Sequence, residues 1–187
     1  MEIVDLEIPG LKLITPRRHE DGRGLFCETY NAKALAAADI TTEFVQDNQS
    51  VSMDAGTLRG LHYQAPPTAQ AKLVRVVSGS VVDVAVDIRK GSPSFGRHVA
   101  VTLSDKNWKQ LLVPTGFLHG FLTLEPGTEV VYKVSDFYDP ATDGGVIWND
   151  PDLAINWPGL DGEPVLSEKD AALPRFQSFE SPFTYEG

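Results

Sequence analysis

His62 is the side chain in this sequence best suited to moving a proton near neutral pH, since an unperturbed imidazole titrates there. It lies in Thr57-Leu-Arg-Gly-Leu-His-Tyr-Gln64, and a second basic run, Lys72-Leu-Val-Arg-Val-Val-Ser-Gly79, follows after a short loop. Arg59, Lys72 and Arg75 therefore surround the candidate base in sequence. Guanidinium and ammonium groups stabilise phosphate oxygens or an oxyanion that develops during a reaction. No Asp or Glu occurs from Ala55 to Val82, although the whole chain carries a formal net charge of -10. An acid-free, cation-bearing stretch in an acidic chain suits a small anion. Buried strands also lack acids, so both readings stand on this feature alone.

The same stretch has the spacing of the first metal motif of cupin barrels: a His-x-His pair, then an acid, then six residues and a glycine. His62 keeps the first ligand position, but Gln64 stands at the second histidine and Lys72 at the acid. The second motif is better kept, as Pro114-Thr-Gly116-Phe-Leu-His119. Divalent metals want several imidazole or anionic donors, and an ammonium in the ring repels them. The frame is expected to hold no metal and to act on an anion or a carbonyl.

The elements that would carry these residues read as strands. Val82, Val84, Val86 and Ile88 alternate with Asp83, Ala85, Asp87 and Arg89, the pattern of a half-buried strand. Further runs fall at Leu11 to Ile14, Leu25 to Tyr30, Phe44 to Val51, Leu73 to Val77, His98 to Leu103, Lys109 to Val113, Phe117 to Leu124 and Thr128 to Val134. Gly and Pro clusters separate them. Many short strands between turns predict an all-β, jelly-roll (cupin-like) β-barrel with a few short helices. Ala32 to Ala38 reads as a helix capped by Asn31. Ser167 to Asp170 reads as another, with Ser167 as cap and Asp170 at the capping-box position.

At 187 residues the chain is expected to form a single domain, residues 1–187, with an irregular C-terminal wrap from about residue 174. The acidic balance argues against nucleic acid or an anionic membrane as partner. No apolar run reaches the length of a membrane span. The single Cys27, which cannot close an internal disulfide, and the absence of a leader-like N-terminus predict a cytoplasmic protein.

Together the segments resemble the dTDP-4-dehydrorhamnose 3,5-epimerase family. The residues that carry the likeness are Asp21-Gly-Arg-Gly-Leu-Phe-Cys-Glu28, Gln46-Asp-Asn-Gln-Ser50, Thr57 to Gln64, Ala69-Gln-Ala-Lys-Leu-Val-Arg75 and Val84-Ala-Val-Asp-Ile-Arg89. Gly91-Ser-Pro-Ser-Phe-Gly96, Val113 to Phe121, Tyr132-Lys133, Trp148-Asn-Asp-Pro151 and Leu166-Ser-Glu-Lys-Asp170 extend it, in order, from about Ile8 to Pro174. The resemblance implies a homodimeric jelly-roll isomerase without a cofactor, inverting C3 and C5 of a dTDP-4-keto-6-deoxyhexose.

Both carbons are α to the C4 ketone, so inversion through an enolate needs a base, an acid and a cation near the enolate oxygen. The resemblance makes His62 the base, Asp170 the carboxylate that fixes its tautomer, and Tyr132 the proton donor, with Lys72 placed to stabilise the enolate. Arg59 and Arg23 would take the diphosphate. Gln46, Asn48, Glu28, Asp143 and Lys169 would serve the nucleotide, Tyr138 would stack on thymine, and His119 would lie near the sugar ring. Arg23, Phe26 and Glu28 would reach in from the partner subunit.

Each residue also has a plainer reading: Tyr132 as a packing residue, Lys72 as a strand-end lysine snorkelling to water, His119 as a structural imidazole, Asp170 as a helix cap. Two positions depart from the family pattern. Asp143 replaces an expected glutamate, and Leu118 replaces a commoner alanine, which would crowd the pocket mouth. A relative that inverts one carbon only, a metal-dependent cupin oxygenase and a non-catalytic nucleotide-sugar-binding barrel are the alternative functions.

Overall fold

The β-branched runs pair into two antiparallel sheets that enclose one apolar interior; the computed structural model describes residues 1–186. The first sheet runs, in spatial order, β1 (Glu2–Asp5), β2 (Lys12–Thr15), β10 (Gln110–Val113), β7 (Lys72–Ser78), β12 (Thr128–Val134) and β5 (Gln46–Ser52). The second runs β13 (Asp143–Gly145), β6 (Leu58–Gln64), β11 (Phe117–Thr123), β8 (Ser80–Asp87) and β9 (His98–Ser104). A separate hairpin joins β3 (Arg18–Asp21) and β4 (Gly24–Cys27). This is the expected all-β jelly-roll (cupin-like) barrel.

Val74, Val76 and Val130 of the first sheet meet Val81, Ala85, Leu103, Phe117 and Phe121 of the second between the layers. Each such Val, Leu or Phe side chain contributes about 1.5–3 kcal/mol through burial. The outer face of the first sheet is partly covered by α1 (Ala32–Ala36), whose Leu35 packs with Ile14, Ile40, Leu73 and Leu112. Asn31 caps α1 as expected, its Oδ1 accepting from the Ala34 N–H at 3.1 Å. The strand expected from Leu25 to Tyr30 is shorter and shifted, because the chain leaves the hairpin at Glu28 to enter that cap.

β8 is not half-buried. All eight of its residues are buried. Val82, Val84 and Val86 face outward into a second core, with Leu58, Leu61, Leu118 and Leu122, while Asp83, Ala85 and Asp87 face the barrel interior. The cover over that second core is the C-terminal chain, which begins well before residue 174: Val146, Leu153 and Trp157 belong to it, as do the partly buried Phe176, Phe179 and Phe183. The Lys90 N–H donates to the Phe183 carbonyl and the Tyr185 N–H to the Lys90 carbonyl, each at 2.9 Å, which pins the tail to the barrel.

Asp87 shows what an inward-facing acid requires. It accepts from Arg89 Nη2 at 2.7 Å, Ser92 Oγ at 2.6 Å and Ser94 Oγ at 2.7 Å, and Arg89 lies between the Phe117 and Tyr185 rings. Burial alone would raise its pKa, but these bonds outweigh it and hold the carboxyl at about 2. A depressed carboxylate stabilises the fold above its unfolded value of 3.8, and that contribution is lost as pH falls through about 2. The loss should amount to about 2 kcal/mol. An NMR titration of the Asp87 carboxyl is expected to give a midpoint near 2, and a midpoint near 3.8 would remove Asp87 as a source of acid sensitivity.

Candidate active site

The site depends on one irregularity in strand pairing. His62 of β6 lies opposite His119 of β11, and Arg59 lies opposite Phe121, so three steps along β6 match two along β11. The extra residue is a bulge at Gly60 and Leu61, facing Gly120. In a regular strand Arg59 and His62 would point to opposite faces. The bulge resets the alternation, and both side chains line the same cavity, while Leu58 and Leu61 take the outer core. Glycine is required on both sides of this contact. A Cβ on Gly60 (φ +124°) would sit 2.6 Å from Gly120 Cα, and one on Gly120 would sit 2.7 Å from the Arg59 carbonyl oxygen.

The cavity between the sheets has two lobes. One, of about 460 Å³, is lined by Arg59, His119, Ser50 and Asp170. The other, of about 320 Å³, is lined by Gln46, Asn48, Tyr138 and Asp143. His62, Lys72, Tyr132 and Lys169 border both. The structure thus gathers eleven of the fourteen expected site residues around one space. The other three, Arg23, Phe26 and Glu28, lie outside it: Arg23 and Phe26 on the exposed hairpin, with Phe26 70% exposed, and Glu28 just after it.

His62 Nε2 and Asp170 Oδ1 are 2.6 Å apart. Asp170 is buried, on the one-turn helix α2 (Glu168–Ala171). Burial would raise its pKa, but hydrogen bonds from His62, the Ser167 hydroxyl and the Gly60 N–H, with the charge of His62, hold it below the ordinary carboxylate value. Ser167 caps α2 as expected, accepting from the Asp170 N–H at 3.0 Å. The capping box is only half realised, because the Asp170 carboxylate is turned onto His62.

On the neighbouring strands His119 Nε2 lies 2.9 Å from Asp83 Oδ1, and both residues are buried. The second oxygen of Asp83 has no partner among the described residues. Lys72 enters from the first sheet and makes no hydrogen bond or ion pair among the described residues. Burial lowers its pKa to about 8, with the charges of Asp83 and Asp143 opposing the drop. Tyr132 also comes from the first sheet. Burial raises its phenol pKa, with the Arg59 charge and an Asn48 hydrogen bond pulling the other way.

These donors do not suit the metal of the cupin frame. The Gln64 carboxamide is spent holding the 137–139 loop: its Nε2 donates to the Phe137 carbonyl at 2.9 Å and its Oε1 accepts from the Asp139 N–H at 3.0 Å. Lys72 then presents an ammonium where a cation would sit. The ring suits an oxyanion. Arg59 is similarly uncommitted, with only long contacts to Ser52 Oγ at 3.4 Å and the Val51 carbonyl at 3.5 Å.

At the mouth, the Tyr138 hydroxyl donates to Asp143 Oδ2 at 3.1 Å, and the Lys169 ammonium binds the same oxygen. Leu118 does not crowd this mouth. It is fully buried in the outer core on the far side of β11. Sequence reasoning missed Asp83, which it placed on a solvent face, and Ser50, whose buried hydroxyl lines the cavity without a partner among the described residues. The near-continuous burial signature of Val81 to Ile88 was the available signal for Asp83, since a strand that is apolar at nearly every step is covered on both sides.

A jelly-roll barrel that has exchanged a metal ring for acid–base groups is of the cupin-like epimerase class. The family model described as dTDP-4-dehydrorhamnose 3,5-epimerase matches residues 5–178. The chain belongs to that family. It is 50% identical over 172 residues to the Neisseria gonorrhoeae dTDP-4-dehydrorhamnose 3,5-epimerase, covering 92% of this chain and about half (52%) of that relative's length. Among solved structures, the Bacillus anthracis dTDP-4-dehydrorhamnose 3,5-epimerase with TDP and PPi bound is 49% identical, with a TM-score of 0.90 over 93% of this chain and 98% of that one. The Legionella pneumophila dTDP-6-deoxy-D-glucose-3,5-epimerase in complex with dTDP-4-keto-L-rhamnose is 43% identical, with a TM-score of 0.94 over 100% of this chain and 99% of that one. No helix of the described residues is long and apolar enough to cross a membrane.

Proposed function

We propose that the protein inverts C3 and C5 of dTDP-4-dehydro-6-deoxy-D-glucose to give dTDP-4-dehydro-L-rhamnose, with His62 as base, Tyr132 as acid and Lys72 as enolate stabiliser. The observation that carries this reading is the placement of His62 and Tyr132 on opposite walls of one cavity, His62 on β6 of the second sheet and Tyr132 on β12 of the first. Inversion requires a proton to leave one face of a carbon and another to arrive on the opposite face. Two walls supply what one wall cannot.

In each half-reaction His62 removes the C–H proton α to the C4 ketone. The electron pair moves into the ring and onto the ketone oxygen, giving an enolate whose charge the Lys72 ammonium balances. Tyr132 then delivers a proton to the other face, its phenolate is reprotonated from solvent, and the His62 imidazolium gives its proton up to solvent before the next half-reaction. Asp170 keeps the imidazole oriented and supports the imidazolium, as a paired carboxylate does for a catalytic histidine. His119, held by Asp83, stands near the sugar. No electrons are gained or lost, so acid, base and oxyanion stabiliser suffice.

Arg59 takes the diphosphate, and Gln46, Asn48, Tyr138, Asp143 and Lys169 take the nucleoside end. Arg23, Phe26 and Glu28 complete the site across a homodimer; their position outside the cavity of their own chain supports that arrangement. The proposed setting is the cytoplasm, supported by the single free Cys27.

The test is proton NMR of substrate and enzyme in D2O. Deuterium is expected at both C3 and C5. Label at one carbon would make the protein a single-carbon epimerase, and no label with dTDP still bound would leave a binding barrel. A Tyr132→Phe variant should keep exchange at C3 and C5 while losing inversion by about a hundredfold. Equal loss of both would remove Tyr132 as the acid.

A further inference from the structure

β5 turns a polar side chain to the barrel interior at every second position: Gln46, Asn48, Ser50 and Ser52. Tyr132 of β12 lies directly opposite Asn48 in the strand register. Opposed residues of an antiparallel pair hold their Cβ atoms about 4.5–5.5 Å apart, so the sheet itself makes the carboxamide and the phenol neighbours. Strand pairing fixes where Asn48 stands. It does not fix which end of the amide meets Tyr132.

A chain of one-way hydrogen bonds fixes that end. A backbone N–H can only donate. The Tyr138 N–H reaches Gln46 Oε1 at 3.3 Å, which turns Gln46 Nε2 the other way. Gln46 Nε2 then donates to Asn48 Oδ1 at 2.8 Å. With Oδ1 on Gln46, the end of Asn48 left for Tyr132 is Nδ2, a donor only. The electrostatics agree. Burial raises the Tyr132 phenol pKa, whereas the Arg59 charge and the Asn48 hydrogen bond lower it. A lowered phenol pKa is the effect of a donor at the oxygen, since donation favours the charged form.

We propose that Asn48 is a positioning residue for the acid: its carboxamide, oriented by Gln46, donates to the Tyr132 oxygen and stabilises the phenolate left after proton delivery. This rests on the reading of Tyr132 as acid and deepens it. A hydrogen bond to an anion is stronger than one to a neutral phenol. The Asn48 contact therefore strengthens as the proton leaves, which is the condition for speeding that step. Because Nδ2 has no lone pair to offer, the phenol hydrogen is not drawn onto it and stays free to point at the substrate carbon. The second hydrogen of Nδ2 and the second lone pair of Oδ1 remain for the nucleotide.

The measurement is the ratio of inversion to solvent exchange at C3 and C5, by proton NMR in D2O at saturating substrate. It is made on wild type, Tyr132→Phe, Asn48→Leu, Asn48→Asp and Gln46→Glu. Inversion and exchange start from the same bound substrate and the same abstraction by His62, so altered nucleotide affinity cancels in the ratio. Asn48→Leu should lower the ratio about tenfold, the scale of one hydrogen bond to a charged group. Asn48→Asp keeps the side-chain size and an acceptor for Gln46 but sets a carboxylate beside the phenolate. It should lower the ratio at least as far, whereas a role in packing alone would make it the milder change. Gln46→Glu can only accept at that end, so it should draw Asn48 Nδ2 onto itself and lower the ratio with Asn48 intact. An unchanged ratio in either Asn48 variant would overturn the proposal and leave Asn48 a nucleotide ligand alone. An unchanged ratio in Gln46→Glu would overturn it too, by removing the amide orientation on which it stands. A Tyr132→Phe ratio equal to that of wild type would instead sink the reading of Tyr132 as acid, so the two failures are distinguishable.

Discussion

A His62→Ala variant is expected to lose about a thousandfold in turnover while binding dTDP almost as tightly as the wild type, since a positioned general base contributes about 10²–10⁴ in rate. The loss should appear equally in deuterium exchange at C3 and at C5, because one imidazole borders the whole two-lobed cavity. The variant is expected to fold. His62 is only partly buried, and the Ser167 cap of α2, whose hydroxyl accepts from the Asp170 N–H, does not depend on it. An unmet hydrogen bond at Asp170 would cost about 1–3 kcal/mol, which dTDP binding and thermal melting would register. Turnover within tenfold of wild type would remove His62 as the base and leave a water or His119 to be tested in its place.

Lys72→Met should produce the second large effect, in two directions at once. Removing an ammonium that stands in the cavity with no hydrogen bond or ion pair among the described residues should lower kcat by about 10²–10³, the range for deleting a preorganised oxyanion stabiliser. The same change should make the fold more stable. Lys72 titrates near pH 8 in the fold against 10.5 when free, so the buried ammonium opposes folding at neutral pH. The sign follows from proton linkage: a base with a depressed folded pKa binds fewer protons in the native state, so stability rises with pH between about 8 and 10.5. Methionine has no charge to desolvate, and the gain at pH 7 should be on the order of 1–3 kcal/mol. In a chain of this size that is a rise of several degrees in Tm. The wild-type kcat should fall above about pH 8 as Lys72 loses its proton. A variant that is less stable than wild type, or one that keeps full activity, would contradict this account. Enzymes commonly carry such strained charges where activity needs them.

Much of this was legible in the chain. The capping residues Asn31 and Ser167 announced both helices because a cap is a contact within three residues. Period-two runs announced most strands, and the exchange of an acid for Lys72 in a metal frame pointed to an anion or a carbonyl. β1, β3, β6 and β13 were not among the expected runs: three or four residues with little alternation give no periodic signal, and in the seven-residue β6 the Gly60–Leu61 bulge breaks the alternation. The same locality explains the errors. Alternation in β8 says that its residues fall into two sets, one per face. It does not say which face meets water, and here neither does, so Asp83 and Asp87 turned out to be interior acids.

By itself, then, the sequence determined the residue types of the site, the strand character of their carriers and the family to which the chain belongs. The tertiary structure alone decided that Arg59 and His62 share a face, through the Gly60–Leu61 bulge against Gly120, and that Leu118 faces away from the cavity. It alone put Asp170, 108 residues along the chain, 2.6 Å from His62, with Lys169 beside it gripping Asp143. The physical reason is range. Propensity, capping and periodicity act over a few residues, whereas register, bulges and the contact of a loop with a distant strand are set by which packing of both sheets buries the most apolar surface without stranding a polar group.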